Sequence, residues 1–172
     1  MARGMGGTKK PSWDFTISAK ITAQDEGLAM KLLIGTRKGA WVLSGDSARE
    51  KWELTGPEFL GHIINHWVAD PRDKKIQLMA AKTGHLGPTI FRSTDSGKTW
   101  KEADAPPAFP PGSKITGRAV DHTFWLQPGH ASEPGVWWAG TSPPGLFAST
   151  DNGATWKSVS GWNEHPMYPQ WV

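Results

Sequence analysis

The ten residues FRSTDSGKTW (91–100) return 56 positions later as FASTDNGATW (147–156), with seven of the ten letters unchanged. Each copy begins within a run, TIFRS or GLFAS, in which apolar and small or polar residues roughly alternate, the pattern of a half-buried strand. Asp95 or Asp151 follows, with Gly97 or Gly153 two residues on. An Asp carboxylate accepts backbone N–H bonds inside such a turn, and glycine takes φ > 0 without steric cost. Trp100 and Trp156 then open the returning strand, where a large ring fills space between sheets. Each phrase reads as a β-hairpin locked by its own Asp. Ser93, Asp95, Gly97, Trp100, Ser149, Asp151, Gly153 and Trp156 are thereby structural rather than catalytic.

Outward from these hairpins the repetition widens. GHIINHWVADP (61–71) resembles GRAVDHTFWLQP (117–128), and each precedes a second apolar run, KIQLMAA (75–81) or GVWWAGT (135–141). This gives four strands per unit, at about 62–68, 75–81, 89–93 and 99–103, then about 119–126, 136–141, 145–149 and 155–159. A worn third copy lies in GTRKGAWVLSGDSAREKW (35–52), where Gly39, Trp41, Ser44, Asp46 and Trp52 take the roles of Gly145, Phe147, Ser149, Asp151 and Trp156. The interval from Trp52 to Trp100 is 48 residues and from Trp100 to Trp156 is 56. Four-stranded units at this period are the mark of a β-propeller. The expectation is an all-β chain with one partial blade (about 31–55) and two full blades (about 62–103 and 119–160). The partial blade lacks an innermost strand. Residues 1–29 have no counterpart in the repeats and read as an unassigned, disordered leader, and 161–172 as a segment leading to a missing blade. The chain is thus expected to be the N-terminal part of a longer propeller.

Composition agrees with short strands and tight turns: 20 Gly, 14 Pro and 11 Trp in 172 residues, with Tyr168 the one tyrosine. No cysteine is present, so no disulfide can form. Nineteen basic and 16 acidic residues are scattered rather than striped, which argues against nucleic-acid binding. No apolar run reaches the roughly 20 residues of a membrane span, and the N-terminus lacks the apolar core of a signal peptide. A cytoplasmic, membrane-independent protein without a cofactor is expected.

The phrases STDSGKTW and STDNGATW match the S-x-D-x-G-x-T-W pattern, and the chain resembles the Asp-box or BNR-repeat propellers. These include sialidases and other glycoside hydrolases, sortilin-like receptors and photosystem assembly factors. LLIGTRKGAWVL and AAKTGHLGPTIFRSTDSGKTW are similar to bacterial BNR-repeat proteins labelled exo-sialidase or glycosyl hydrolase. The resemblance covers about residues 30–165 and implies a propeller; it leaves enzymatic activity open, because one fold hosts many functions.

In such a fold the Asp turns occupy one face, while the starts of innermost strands and the loops between second and third strands occupy the other. That second face is the expected ligand face. Arg37, Lys38, Lys82 and His85 fall on its loops, and His62, Asn65, His66, Arg118, Asp121 and His122 near its innermost strands. Asn65-His66 and Asp121-His122 recur 56 residues apart and are expected side by side around the channel, either holding a ligand or bonding between blades. HIINH (62–66) is not a zinc motif. Four residues of strand span about 13 Å, too far for one zinc to reach both rings. A metal across His66 and His122 is the remaining alternative, and no metal site is assigned. Most tryptophans read as filling between blades; of Trp137 and Trp138, neighbours on one strand, only one can be buried in a given layer.

Two functions follow. The first is a rigid platform binding a carbohydrate or protein ligand through Arg37, Lys82, His85, His66, Arg118, Asp121 and His122, and self-associating where its sheet faces are uncovered. The second, implied by the resemblance, is an exo-glycosidase of sialidase type with Arg37 and Arg118 as anion contacts. Its nucleophile and acid would lie outside this segment, since the R-I-P signature is absent and Asp121 and Glu58 have no fixed separation.

Overall fold

The computed structural model describes residues 21–22, 30–111 and 118–170. Apart from Ile21–Thr22, the leader expected over residues 1–29 lies outside the described residues. The described chain forms three four-stranded antiparallel sheets in the orders β1-β2-β3-β4, β5-β6-β7-β8 and β9-β10-β11-β12. The first contains β1 (Ile21–Thr22), β2 (Met30–Thr36), β3 (Gly39–Gly45) and β4 (Trp52–Glu58). The second contains β5 (Ile63–Ala69), β6 (Gln77–Thr83), β7 (Gly87–Ser93) and β8 (Lys101–Glu102). The third contains β9 (His122–Pro128), β10 (Trp137–Ser142), β11 (Gly145–Ser149) and β12 (Lys157–Ser158). Each is a propeller blade. The chain is a partial all-β propeller, its blades here numbered one to three.

Two differences from expectation concern the ends. The first blade is not without its innermost strand: Ile21 pairs with Leu32 and Thr22 with Lys31. Two residues are too few for alternation to reveal a strand. Beyond β12, residues 160–170 do not lead away as a loop but fold back as a short helix (α1, Ser160–Asn163) and a 3₁₀ turn (Tyr168–Gln170). Buried Asn163 bonds the backbone N–H and carbonyl of Leu146, and the Tyr168 hydroxyl donates to the Pro144 carbonyl at 2.6 Å.

Blades pack through two apolar layers. Leu33 and Ala40 of blade one meet Ile64, Trp67, Met79 and Ala81 of blade two. Val68, Leu78, Ala80 and Ile90 on blade two's other face meet Leu126, Trp137, Ala139, Phe147 and Trp156 of blade three. Alanines at Ala80, Ala81 and Ala139 let the strands approach while the large rings fill what remains. As strand alternation requires, Trp137 is fully buried and its neighbour Trp138 is exposed.

The repeated turns are built alike. Ser93 Oγ donates to Asp95 at 2.8 Å and accepts the Gly97 N–H at 2.8 Å; Ser149, Asp151 and Gly153 repeat this at 2.7 and 2.9 Å. Each Asp also accepts the N–H and hydroxyl of a Thr, Thr99 or Thr155. Gly97 and Gly153 stand at φ +85° and +79°. These bonds hold the Asp95 carboxyl down to about 2, with the Thr99 hydroxyl the main cause. At Asp151 burial pushes upward, but the bonds from Thr155 and Ser149 outweigh it and the carboxyl is again lowered. The worn copy differs. Asp46 caps a longer turn through Glu50 N–H, and Trp52 lies over Gly45, 41% exposed, instead of wedging between blades.

Candidate functional site

The innermost strands of blades two and three each carry a one-residue bulge. Ile64 pairs with Ala81 and His66 with Ala80, which leaves Asn65 unpaired between them. Thr123 pairs with Thr141 and Trp125 with Gly140, which leaves Phe124. A bulge re-aims the side chain it frees. Asn65 and Phe124 both line a cleft of about 370 Å³ where the three blades meet, together with Gly35, Thr36, Arg37 and His122. Its floor is tight: a Cβ on Gly35 would stand 2.6 Å from the Ile64 carbonyl oxygen.

Beside the cleft a polar chain crosses from blade two to blade three. Lys82 Nζ reaches Asp121 Oδ1 at 2.5 Å, and Asp121 Oδ2 lies 2.8 Å from His122 Nδ1. The hydrogen bond from Lys82, followed by that from His122, holds the Asp121 carboxyl below the usual range. A carboxylate only accepts, so His122 Nδ1 is the protonated nitrogen and Nε2 is left for a ligand. The Asn65 amide nitrogen is buried without a hydrogen-bond partner. Phe124 is 51% exposed, and Arg37 stands exposed at the β2–β3 hairpin. An exposed ring beside unused donors is an arrangement that can stack on and bond a polyhydroxylated ligand.

The structure thus gathers Arg37, Asn65 and His122 in the cleft, with Lys82 and Asp121 beside it, and leaves His66, Arg118 and His85 elsewhere. His66 is buried; its Nδ1 accepts the Leu126 N–H at 2.9 Å and its ring stacks on Trp125 at 4.7 Å, a bond between blades. The expected equivalence of Asn65-His66 with Asp121-His122 fails. Counted along the ladders from Ser93 and Ser149, His66 corresponds to Trp125 and His122 to Ile63. The similar letters stand three residues out of register on the two strands. Arg118 is no open anion contact: its guanidinium lies between the Phe109 and Tyr168 rings at 4.1 and 4.2 Å and donates to the Asn163 carbonyl. His85 sits exposed on the β6–β7 hairpin and does not line the cleft.

Sequence reading missed Arg72. Its guanidinium grips Asp70 with two bonds, at 2.8 and 2.6 Å, and donates to the carbonyls of His130, Glu133 and Val136. The clamp joins blade two to the loop of blade three at the end opposite the cleft, and blade three has no matching Arg that could have signalled it. Among the described residues no group of three or more His, Cys, Asp or Glu side chains could hold a metal ion, and no helix is long and apolar enough to cross a membrane.

Comparison with known proteins adds a class. No family model matches the chain. Xyloglucanase Xgh74A of Acetivibrio thermocellus is 27% identical over 140 residues, covering 70% of this chain and 16% of that protein. A xyloglucanase of a Paenibacillus species is 26% identical over 159 residues, covering 76% of this chain and 15% of its own length. The chain therefore spans about one sixth of the curated relatives it matches. Among solved structures, the GH74 xyloglucanase of Xanthomonas campestris superposes with a TM-score of 0.55 at 15% identity, over 80% of this chain and 22% of that one. Fold and sequence similarity together define a glycosidase-related β-propeller segment. The sialidase expectation is corrected here: these relatives are xyloglucanases, and sialidase type gains no support from them.

Proposed function

We propose that this propeller segment is a rigid carbohydrate-binding platform, with its ligand seated in the cleft lined by Arg37, Asn65, His122 and Phe124. The observation that carries this is the pairing of a buried, unpartnered Asn65 amide with the exposed Phe124 ring, both placed by bulges. Sugars offer hydroxyl acceptors to the first and a C–H face to the second. The relatives' names make xyloglucan the first polymer to try. Glycoside hydrolysis needs two carboxyl groups flanking the bond. The cleft lining carries none among the described residues, and nearby Asp121 is engaged by Lys82 and His122. Binding is therefore the better reading for this segment. The similarity to xyloglucanases favours a second one, in which the segment contributes substrate contacts to a hydrolase whose carboxylates lie elsewhere. We also read the two Ser-Asp-Gly-Trp turns as Asp-boxes, on the strength of their shared hydrogen bonds.

The test is a calorimetric and NMR titration with xyloglucan oligosaccharides. Saturable binding is expected, weakened about tenfold by Asn65→Ala or Phe124→Ala, the scale of one lost hydrogen bond or stacking contact. Absence of binding, or binding indifferent to both substitutions, would reject the cleft as a carbohydrate site.

A further inference from the structure

The lining of the cleft lacks the carboxyl pair of a glycoside hydrolase, but the groups it does hold suit another way of cutting a sugar polymer. They converge from three blades: Arg37 from blade one, Asn65 from blade two and His122 from blade three. Arg37 has no acidic partner among the described residues. The Asn65 amide nitrogen is buried with no hydrogen-bond partner. His122 is the one base of the described lining.

That base is oriented. Asp121 Oδ2 lies 2.8 Å from His122 Nδ1, and Lys82 Nζ holds Asp121 Oδ1 at 2.5 Å. The imidazole is thereby fixed in one tautomer, with its lone pair on Nε2. A carboxylate that orients a histidine in this way equips it to take a proton from a bound substrate. The cleft thus combines one positioned base with a cation and a free amide donor, in a volume of about 370 Å³ that falls within the range of small-ligand sites.

Elimination from a uronic acid asks for these parts. Where a uronic acid carries the polymer on its O4, the hydrogen on C5 lies beside the carboxylate. Removing that hydrogen pushes charge onto the carboxylate oxygens, and donors placed there stabilise it. We infer that the cleft cleaves uronic-acid-containing glycans by elimination, with His122 as the base and Arg37 and Asn65 holding the carboxylate. His122 Nε2 takes the C5 proton, and the C5–H electron pair becomes the second bond of C4=C5. The C4–O4 bond breaks with its pair on O4. O4 takes a proton from water while the imidazolium returns one to water, so no other reactant is consumed. Lys82 and Asp121 act through His122 as positioning residues. The inference rests on the reading of the cleft as a carbohydrate site and adds a substrate class and a reaction to it.

The full 172-residue chain is incubated with oligogalacturonate, alginate and chondroitin oligosaccharides. Ultraviolet absorbance follows the new double bond, and mass spectrometry follows the fragments. Turnover of at least one substrate is expected, with fragment masses that sum to the substrate and lack the added water of hydrolysis. His122→Ala should lower kcat about a hundredfold or more while calorimetry still shows substrate binding. Arg37→Ala should lower kcat about a hundredfold, as loss of a charge-stabilising donor does. Asp121→Asn should lower kcat about tenfold or more with KM unchanged, the mark of a misplaced base rather than a lost contact. His85→Ala, outside the cleft, should leave the rate unchanged. Binding of sugars without elimination from any of the three substrates would overturn the inference and leave the binding platform standing. Fragments carrying an added water, or full turnover by His122→Ala, would also overturn it. Failure to bind either these sugars or xyloglucan oligosaccharides would reject both readings.

Discussion

Asp95 and Asp151 each close a turn by accepting bonds at both side-chain oxygens, which the carboxylate does and a protonated carboxyl cannot. The Asp95 carboxyl drops from an ordinary 3.8 to about 2 on folding, and that of Asp151 also drops. A lowered folded-state value means the unfolded chain takes up the proton first. The contribution is therefore complete above about pH 4 and is lost as pH falls from there toward 2. Urea midpoints measured across that range should fall more steeply for the native chain than for the double variant Asp95→Asn, Asp151→Asn. Equal slopes would show that these turns do not carry the acid sensitivity. The turn chemistry was fully legible in the ten-letter phrase, because every bond it uses lies within five residues of the Asp. Arg118 was not. Its partners Phe109 and Tyr168 lie 9 residues before and 50 after it in sequence, and only folding places their rings on its two sides.

At the scale of the element, a turn is also a wedge. A Cβ on Gly153 would stand 2.8 Å from both Leu78 methyl carbons, so the hairpin of blade three rests directly on β6 of blade two. The loop after β8 joins it: Asp104 and Ala105 donate to the Ala154 carbonyl, and the Trp156 N–H returns to Ala105. Gly153→Ala meets both a positive φ and a filled space and should cost about 1–3 kcal/mol, read as a lower midpoint in urea. Gly97→Ala shares the φ but faces the flexible end of Gln77, so its cost should be smaller. Near-equal losses would mean that φ alone governs both positions. Strand positions were readable to within a few residues from alternation. The bulges at Asn65 and Phe124 were not, since an extra residue in an apolar run leaves no mark until its partner strand is known.

For the whole molecule the seams between blades matter most, and Arg72 is the strongest polar one. It pairs with Asp70, whose side chain is 3% exposed, and spans to three carbonyls of blade three. Arg72→Ala strands a buried carboxylate and should destabilise by about 3–5 kcal/mol in urea unfolding. Arg72→Lys should rescue little, because one ammonium cannot reproduce a planar fork with five donors. Full rescue by Lys would show that charge alone is enough there.

The sequence by itself determined the blade: its hairpin lock, its wedge tryptophan, its four strands and its repeat, all set by local periodicity and turn chemistry. Tertiary structure alone decided what meets between blades. It turned His66 into an interblade bond and brought Arg37, Asn65, His122 and Phe124 to one cleft. The physical reason is range. Hydrogen bonds within a turn are written in neighbouring letters, whereas a seam depends on strand register and on bulges, where a shift of one residue exchanges the buried face for the open one.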